Sequence, residues 1–150
     1  TALQLKRNAF TAMASIVFVR GIVVNVGFVR YVGGVVNWWT VSFFSAFALL
    51  ISVVKDVPDT AGDEANGLPS FALMTSRATV LTEVTRLTAI LGAFTIALQH
   101  SSTRRVIAVN ALGVWIIMSL LTDPSNDHEV RRLYKLLWAL FYVAYLAMML

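Results

Sequence analysis

The chain has no cysteine in its 150 residues, so it can form neither a disulfide framework nor a thiolate metal site, and no redox compartment can be read from it. Charge is also scarce. Only 13% of the residues are charged, where a soluble domain carries about 25%. The few basic side chains do not form a run interleaved with aromatics, which argues against a single-stranded nucleic acid as partner. No signal or transit peptide is recognisable. A chain that begins at Thr1 and ends in an apolar run at Leu150 is expected to be a piece, or a mature form, of a longer protein.

What is present is apolar. The chain is 58% hydrophobic with a mean hydropathy of +0.74, the composition of an integral membrane protein whose partner is the lipid bilayer. A net charge of +4 on such a chain bears on membrane orientation. The segment from Ala9 to Val36 is long enough to cross a hydrocarbon core of roughly 30 Å, which takes about 20 helical residues. Its many Val and Ile residues favour strand in water. In lipid every backbone group must pair within its own segment, so the spacing and length predict a helix.

Gly33, Gly34, Asn37, Trp38 and Trp39 read as a turn with an interfacial aromatic belt. Further spans are predicted over Thr40–Val54, Ala78–Gln99 and Val106–Leu121, and from near His128 or Glu129 to Leu150. Thr75 or Ser76 is a candidate cap for the third. The fold class is therefore an all-α membrane protein of about five transmembrane helices in a single domain, with no repeat and no low-complexity segment. Lys6, Arg7, Lys55, Arg77, Arg131, Arg132 and Lys135 fall on one side of such a bundle, against Arg30, Arg104 and Arg105 on the other. The positive-inside tendency puts the connection after the second span on the cytoplasmic, stromal or matrix side.

That connection holds the densest chemistry in the chain. Lys55-Asp56-Val57-Pro58-Asp59-Thr60-Ala61-Gly62-Asp63 carries three of the eight acidic residues. Asp56 and Asp59 stand at i,i+3 and Asp59 and Asp63 at i,i+4, so on a helix, or a helix end running into a loop, they would share a face. Closely spaced carboxylate oxygens suit a hard dication such as Mg²⁺, which keeps some of its waters and bridges to a substrate phosphate. Pro58, Asp59 and Gly62 are equally ordinary residues of a solvated turn.

The same stretch, with Gly67, Ser70 and Phe71 after it, resembles the second aspartate-rich motif of the UbiA superfamily of intramembrane aromatic prenyltransferases. The wording Lys-Asp-Val-Pro-Asp-x-x-Gly-Asp is most similar to the homogentisate prenyltransferase (phytyl or solanesyl) branch. Leu5-Lys6-Arg7-Asn8, then Val19-Arg20-Gly21 and Asn25, resembles that branch's helix two spans before the motif. Leu136 to Tyr145 resembles its C-terminal helix.

The resemblance implies a C-terminal portion, two spans before the motif and three after, of a nine-helix bundle around a central cavity. It implies transfer of a prenyl group from a prenyl diphosphate to an aromatic acceptor, homogentisate on the branch resemblance, in tocopherol or plastoquinone biosynthesis. The membrane would be that of a plastid, or a bacterial inner membrane. The cofactor would be Mg²⁺ with Asp56, Asp59 and Asp63 as ligands, and Lys55 would lend a point charge to the diphosphate. The family's first motif, Asn-x-x-x-Asp-x-x-x-Asp, does not occur in this sequence. An N-terminal half of the same enzyme is therefore expected as partner, and the isolated chain is expected to be inactive. The other reading of that absence is a non-catalytic small membrane protein, an assembly or transport subunit.

Arg20 sits about 11 residues into its span, roughly 16 Å deep at ~1.5 Å per residue. Charges at that depth contact a substrate in a cavity or pair with a polar group, for which Glu83 is available. Arg86 either faces the cavity as a substrate contact or pairs with Glu83 at i,i+3. A structural Lys55 would simply mark the interface, as Arg77 does. Asn25 and Asn110 are expected to join helices. His100 and His128 are expected to be solvated span ends. Trp115, Trp138, Phe141, Tyr142 and Tyr145 suit either a prenyl tunnel or ordinary packing and interface positions.

Overall fold

The computed structural model describes residues 8–149, all of whose regular elements are helical. In order they are α1 (Ala9–Ile16), a π-helical turn (Val17–Val23), α2 (Val24–Tyr31), α3 (Trp38–Lys55), a 3-10 turn (Val57–Asp59), α4 (Thr60–Ala65), α5 (Phe71–Met74), α6 (Arg77–Leu98), α7 (Ser102–Leu121) and α8 (Asp127–Met149). Helix is the outcome expected where lipid offers the backbone no partners. Lys6 and Arg7, read as interface anchors, lie outside the described residues.

Among the described residues four helical runs are long and apolar enough to cross a membrane: Ala9–Tyr31, Trp38–Ala65, Arg77–Ala97 and Ser102–Leu121. They coincide with the first four predicted spans. The fifth, α8, is 23 residues long, but Arg131, Arg132 and Lys135 in its first half keep it outside that class. The chain is an all-α membrane protein that divides into two compact units, Thr1–Ser76 and Arg77–Leu150.

In the first unit α3 is the element the others pack on. Asn37 starts it, its Oδ1 accepting from the N–H of Trp39 at 3.0 Å. Its Val41, Phe44, Ala48, Ile51 and Val54 are buried at the i,i+3/i+4 spacing of one helix face. The first span lies against it where Gly21 meets Ser45. A Cβ built on Gly21 would come within 2.5 Å of the Ser45 Cα, so only glycine permits this approach. Small residues drawing backbones together are the usual way helices associate without a hydrophobic driving force.

Gly21 lies inside the π turn, where the widened helix leaves backbone carbonyls without their usual i+4 partner. Asn25 takes them up: its Nδ2 donates to the carbonyls of Arg20 at 2.9 Å and Gly21 at 2.7 Å. These bonds lie within its own span and take up carbonyls of the irregular turn. Asn110, on the regular helix α7, likewise donates within its own helix, to the Val106 carbonyl at 2.8 Å.

In the second unit α6, α7 and α8 follow one another as antiparallel neighbours. The hydroxyls of Thr85 and Ser119 bond across α6 and α7. Two turns further along, Gly92 faces Leu112, whose methyls would lie 2.8 Å from an added Cβ. Asn126 caps α8, its Oδ1 accepting from the N–H groups of His128 and Glu129, while Glu129 reaches back to the Asp123 N–H at 2.8 Å. Glu129 thus reaches past the Asn126 cap and ties the turn before it to the first turn of α8. Arg77, at the start of α6, bonds Asp127 at the start of α8 at 2.5 Å. That ion pair was not expected from Arg77 as a bare interface anchor, and it ties the two helix starts together.

Gly21→Val is expected to lower thermal stability in detergent by about 1–3 kcal/mol, the cost of overpacking a close contact. Gly27→Ala, with nothing within 4 Å of its added Cβ, is expected to leave it unchanged or slightly raised. Equal effects of the two would contradict the Gly21–Ser45 approach.

Candidate functional site

The acidic segment begins where α3 stops. Pro58 has no N–H and its ring would strike the carbonyl of Val54, so the α-helical ladder cannot run past Lys55. Asp56 becomes the C-cap of α3, Asp59 closes the 3-10 turn, and Asp63 lies in α4. The three carboxylates therefore stand on a helix end and the two short elements that follow it rather than on one unbroken α-helix.

Nor is the segment a floppy turn. Val57 is fully buried and Pro58 is buried beside it, so the chain is anchored between the carboxylates. Ser70 is 1% exposed and Ala72 is buried at the far end of the connection. Buried Val57 and Pro58 separate half-buried Asp56 from exposed Asp59, which fixes the backbone that carries them.

Lys55, Asp56, Asp59 and Asp63 share one local field. Lys55 Nζ stands 3.4 Å from Asp56 Oδ1, both near the surface. The Asp63 carboxyl is raised above the ordinary carboxylate range, first by partial burial and then by the negative charges of Asp56 and Asp59, with Lys55 opposing. Asp63 lies beyond Lys55, where the apolar part of the second span ends. A carboxylate penalised by its neighbours' charge is stabilised by a cation. The donor set is oxygen only, which fits a hard dication such as Mg²⁺. Among the described residues no three carboxylate or imidazole side chains converge on one point that could hold a metal ion. The fit is to an ion held by one or two carboxylates, with water or phosphate oxygens completing its shell, as Mg²⁺ usually is.

Arg20 is an exposed side chain in the π turn of the first span, within the same unit. Arg86 belongs to the second unit and faces Glu83 at 4.0 Å, the i,i+3 pair expected, on an exposed face. His100 and His128 are exposed. Trp138, Phe141, Tyr142 and Tyr145 touch one another along α8 with ring centroids 5.0–5.9 Å apart. Trp115 is 1% exposed on α7.

Asn66-Gly67-Leu68-Pro69, which reads in the sequence as the close of the acidic loop, does close it. Gly67 holds φ at +61° and Phe71 sets its ring edge-on against Phe10, 5.1 Å between centroids. Asn66-Gly67 is a recognisable helix-stop signal, whereas the Phe10–Phe71 contact has no signal in the sequence.

A polytopic helical membrane protein with an anchored acidic surface segment is the class that fold and site define. Comparison with known proteins finds similarity, along nearly the whole of this chain, to homogentisate prenyltransferases. It is 28% identical over 163 residues to homogentisate phytyltransferase 1, chloroplastic, of Arabidopsis thaliana, covering 96% of this chain and 41% of that protein. It is 29% identical over 161 residues to the homogentisate geranylgeranyltransferase of Triticum aestivum, covering 95% of this chain and 39% of that one. The chain thus spans about two fifths of the length of the curated relatives it matches. No family model and no solved structure matches it.

Because Asp56 and Asp59 raise the Asp63 carboxyl, Asp56→Asn is expected to move it down and Lys55→Met to move it up. A carbon-detected NMR titration reads both. The sign for stability follows from the raised value. The folded state binds the Asp63 proton more tightly, so its contribution is present at acid pH and is lost as pH rises through the folded value. Added divalent cation is expected to reverse that loss. An Asp63 titration that ignores both substitutions would contradict the shared field.

Proposed function

We propose that the protein acts as part of a membrane prenyltransferase, transferring a prenyl group from its diphosphate to an aromatic acceptor. Homogentisate is the acceptor this reading favours, because the relatives similar along almost the whole chain are named for it. A plastid membrane is the setting favoured by the chloroplastic relatives together with the membrane-length helices. The chain corresponds to the C-terminal portion of such an enzyme, and the remainder of the cavity is supplied by a segment of the kind that its longer relatives carry.

The observation that carries this reading is the placement of Asp56, Asp59 and Asp63 on one short segment, anchored by buried Val57 and Pro58, at the end of α3. In the reaction an allylic C–O bond breaks, a C–C bond forms to the aromatic ring, and the ring gives up a proton. The electrons of the broken bond leave with the diphosphate. Mg²⁺, when bound, supplies the positive charge that the leaving diphosphate needs.

The protein's own residues do the rest. Asp56, Asp59 and Asp63 offer the oxygen donors, of which one or two would hold the cation that meets the diphosphate at the membrane surface. Lys55, next to Asp56, offers a mobile point charge to the phosphate oxygens. Arg20 and Arg86 are the proposed substrate contacts from the spans. The apolar helices hold the prenyl chain in lipid-like surroundings and keep water from an allylic cation.

Expressed from its full reading frame in membranes, the protein is expected to prenylate homogentisate with phytyl or geranylgeranyl diphosphate. Asp56→Ala and Asp59→Ala are each expected to reduce kcat/KM by about 10²-fold, corresponding to roughly 3 kcal/mol of lost transition-state stabilisation. Undiminished transfer by both variants would overturn the assignment of these carboxylates.

A further inference from the structure

The acidic segment is fastened beyond its last aspartate by a helix end with a defined hydrogen-bond pattern. The Leu68 N–H donates to the Asp63 carbonyl at 2.8 Å, and the Gly67 N–H donates to the Glu64 carbonyl at 3.1 Å. This paired closure is the Schellman arrangement, which needs a left-handed residue just past the helix end. Gly67, at φ +61°, is that residue. The Asn66 side chain adds a bond to the Gly62 carbonyl at 2.7 Å. Asp63 therefore carries its carboxylate on a residue whose backbone carbonyl is the anchor of the closure.

The chain then runs four residues from Gly67 to Phe71. Ser70 is 1% exposed and caps α5, its Oγ accepting from the Leu73 N–H at 3.4 Å. Phe71 meets Phe10, in the first turn of α1, edge to face at 84°. The short helix α4 is held at one end by buried Val57 and Pro58, and at the other by Gly67 and the Phe71–Phe10 contact. Without the second fastening, the six residues of α4 would have little to keep them helical, since isolated helices shorter than about 12 residues are marginal.

We propose that Gly67 and Phe71 are positioning residues for diphosphate binding. They fix the distance of Asp63 from Asp56 and Asp59, and so set cation and diphosphate affinity without touching either. This rests on the function proposed above for the three carboxylates. It adds that the first span, through Phe10, is one wall of the device that sets the acidic segment.

The test uses the protein expressed from its full reading frame, with Gly67→Val, Gly67→Asn, Phe71→Ala and Phe71→Leu. Two readouts do not depend on turnover: hydrogen exchange at the Leu68 amide, and Mn²⁺ affinity measured by paramagnetic resonance as a stand-in for Mg²⁺. Gly67→Val is expected to speed exchange at Leu68 and to weaken Mn²⁺ binding about tenfold, the size of one left-handed backbone penalty. The KM for prenyl diphosphate is expected to rise by a similar factor, with kcat and the acceptor KM little changed. Asn tolerates the left-handed backbone, so Gly67→Asn is expected to recover most of the loss and to show that the protein still folds. Phe71→Ala is expected to follow Gly67→Val, and Phe71→Leu to recover part of it.

Wild-type Mn²⁺ affinity and diphosphate KM in Gly67→Val would overturn the positioning role. So would a fall in kcat with both KM values unchanged. Wild-type protein that binds Mn²⁺ but transfers no prenyl group would instead overturn the reaction, while leaving the positioning of the cation site intact.

Discussion

The structure depends on one constraint: inside a bilayer the backbone has no water to bond to, so each crossing segment must satisfy itself. Every irregularity in the first unit is a response to that demand. The π turn at Val17–Val23 frees carbonyls, and the amide of Asn25 accepts the task of bonding them. Pro58 ends the second span's ladder where the apolar run gives way to polar residues. A break there costs little, because the freed carbonyls reach the interface. The same break deep in the span would leave them unpaired. The acidic segment therefore sits where a membrane protein can abandon helix cheaply, and where a charged, water-soluble diphosphate can reach it.

Much of the fold was legible because the signal is long. Runs such as Thr40–Val54 and Val106–Leu121 contain too few polar side chains to be anything but spans, and the observed helices start within a few residues of the expected positions. The differences come from short-range chemistry. Asn37 and Ser101 cap their helices before the apolar run begins, so α3 and α7 start earlier than hydropathy alone implies. The π turn has no signature in a segment of Val, Phe and Ile. The Arg77–Asp127 pair spans fifty positions, and no local pattern announces it.

The site was legible in composition but not in shape. Three aspartates fall in a run of nine residues, and that concentration was plain in the sequence. The break in α-helix between them was readable at Pro58, whose missing N–H ends the ladder of α3. Gly67 is readable in the same way, as a helix stop, but its hold on the Asp63 carbonyl emerges only once the backbone is closed. The docking of Phe71 on Phe10 joins residues 61 positions apart and lies beyond any local reading.

The central proposal concerns charge: Asp56, Asp59 and Asp63 hold a cation against a more negative ligand. The most direct measurement is prenyl transfer to homogentisate by membranes holding the protein made from its full reading frame, with Mg²⁺ supplied and then removed by a chelator. The account expects transfer with the ion, loss of transfer on chelation, and recovery when Mg²⁺ is returned. Transfer that persists undiminished in the chelator would contradict it, and the acidic segment would then be a surface feature with no part in the chemistry.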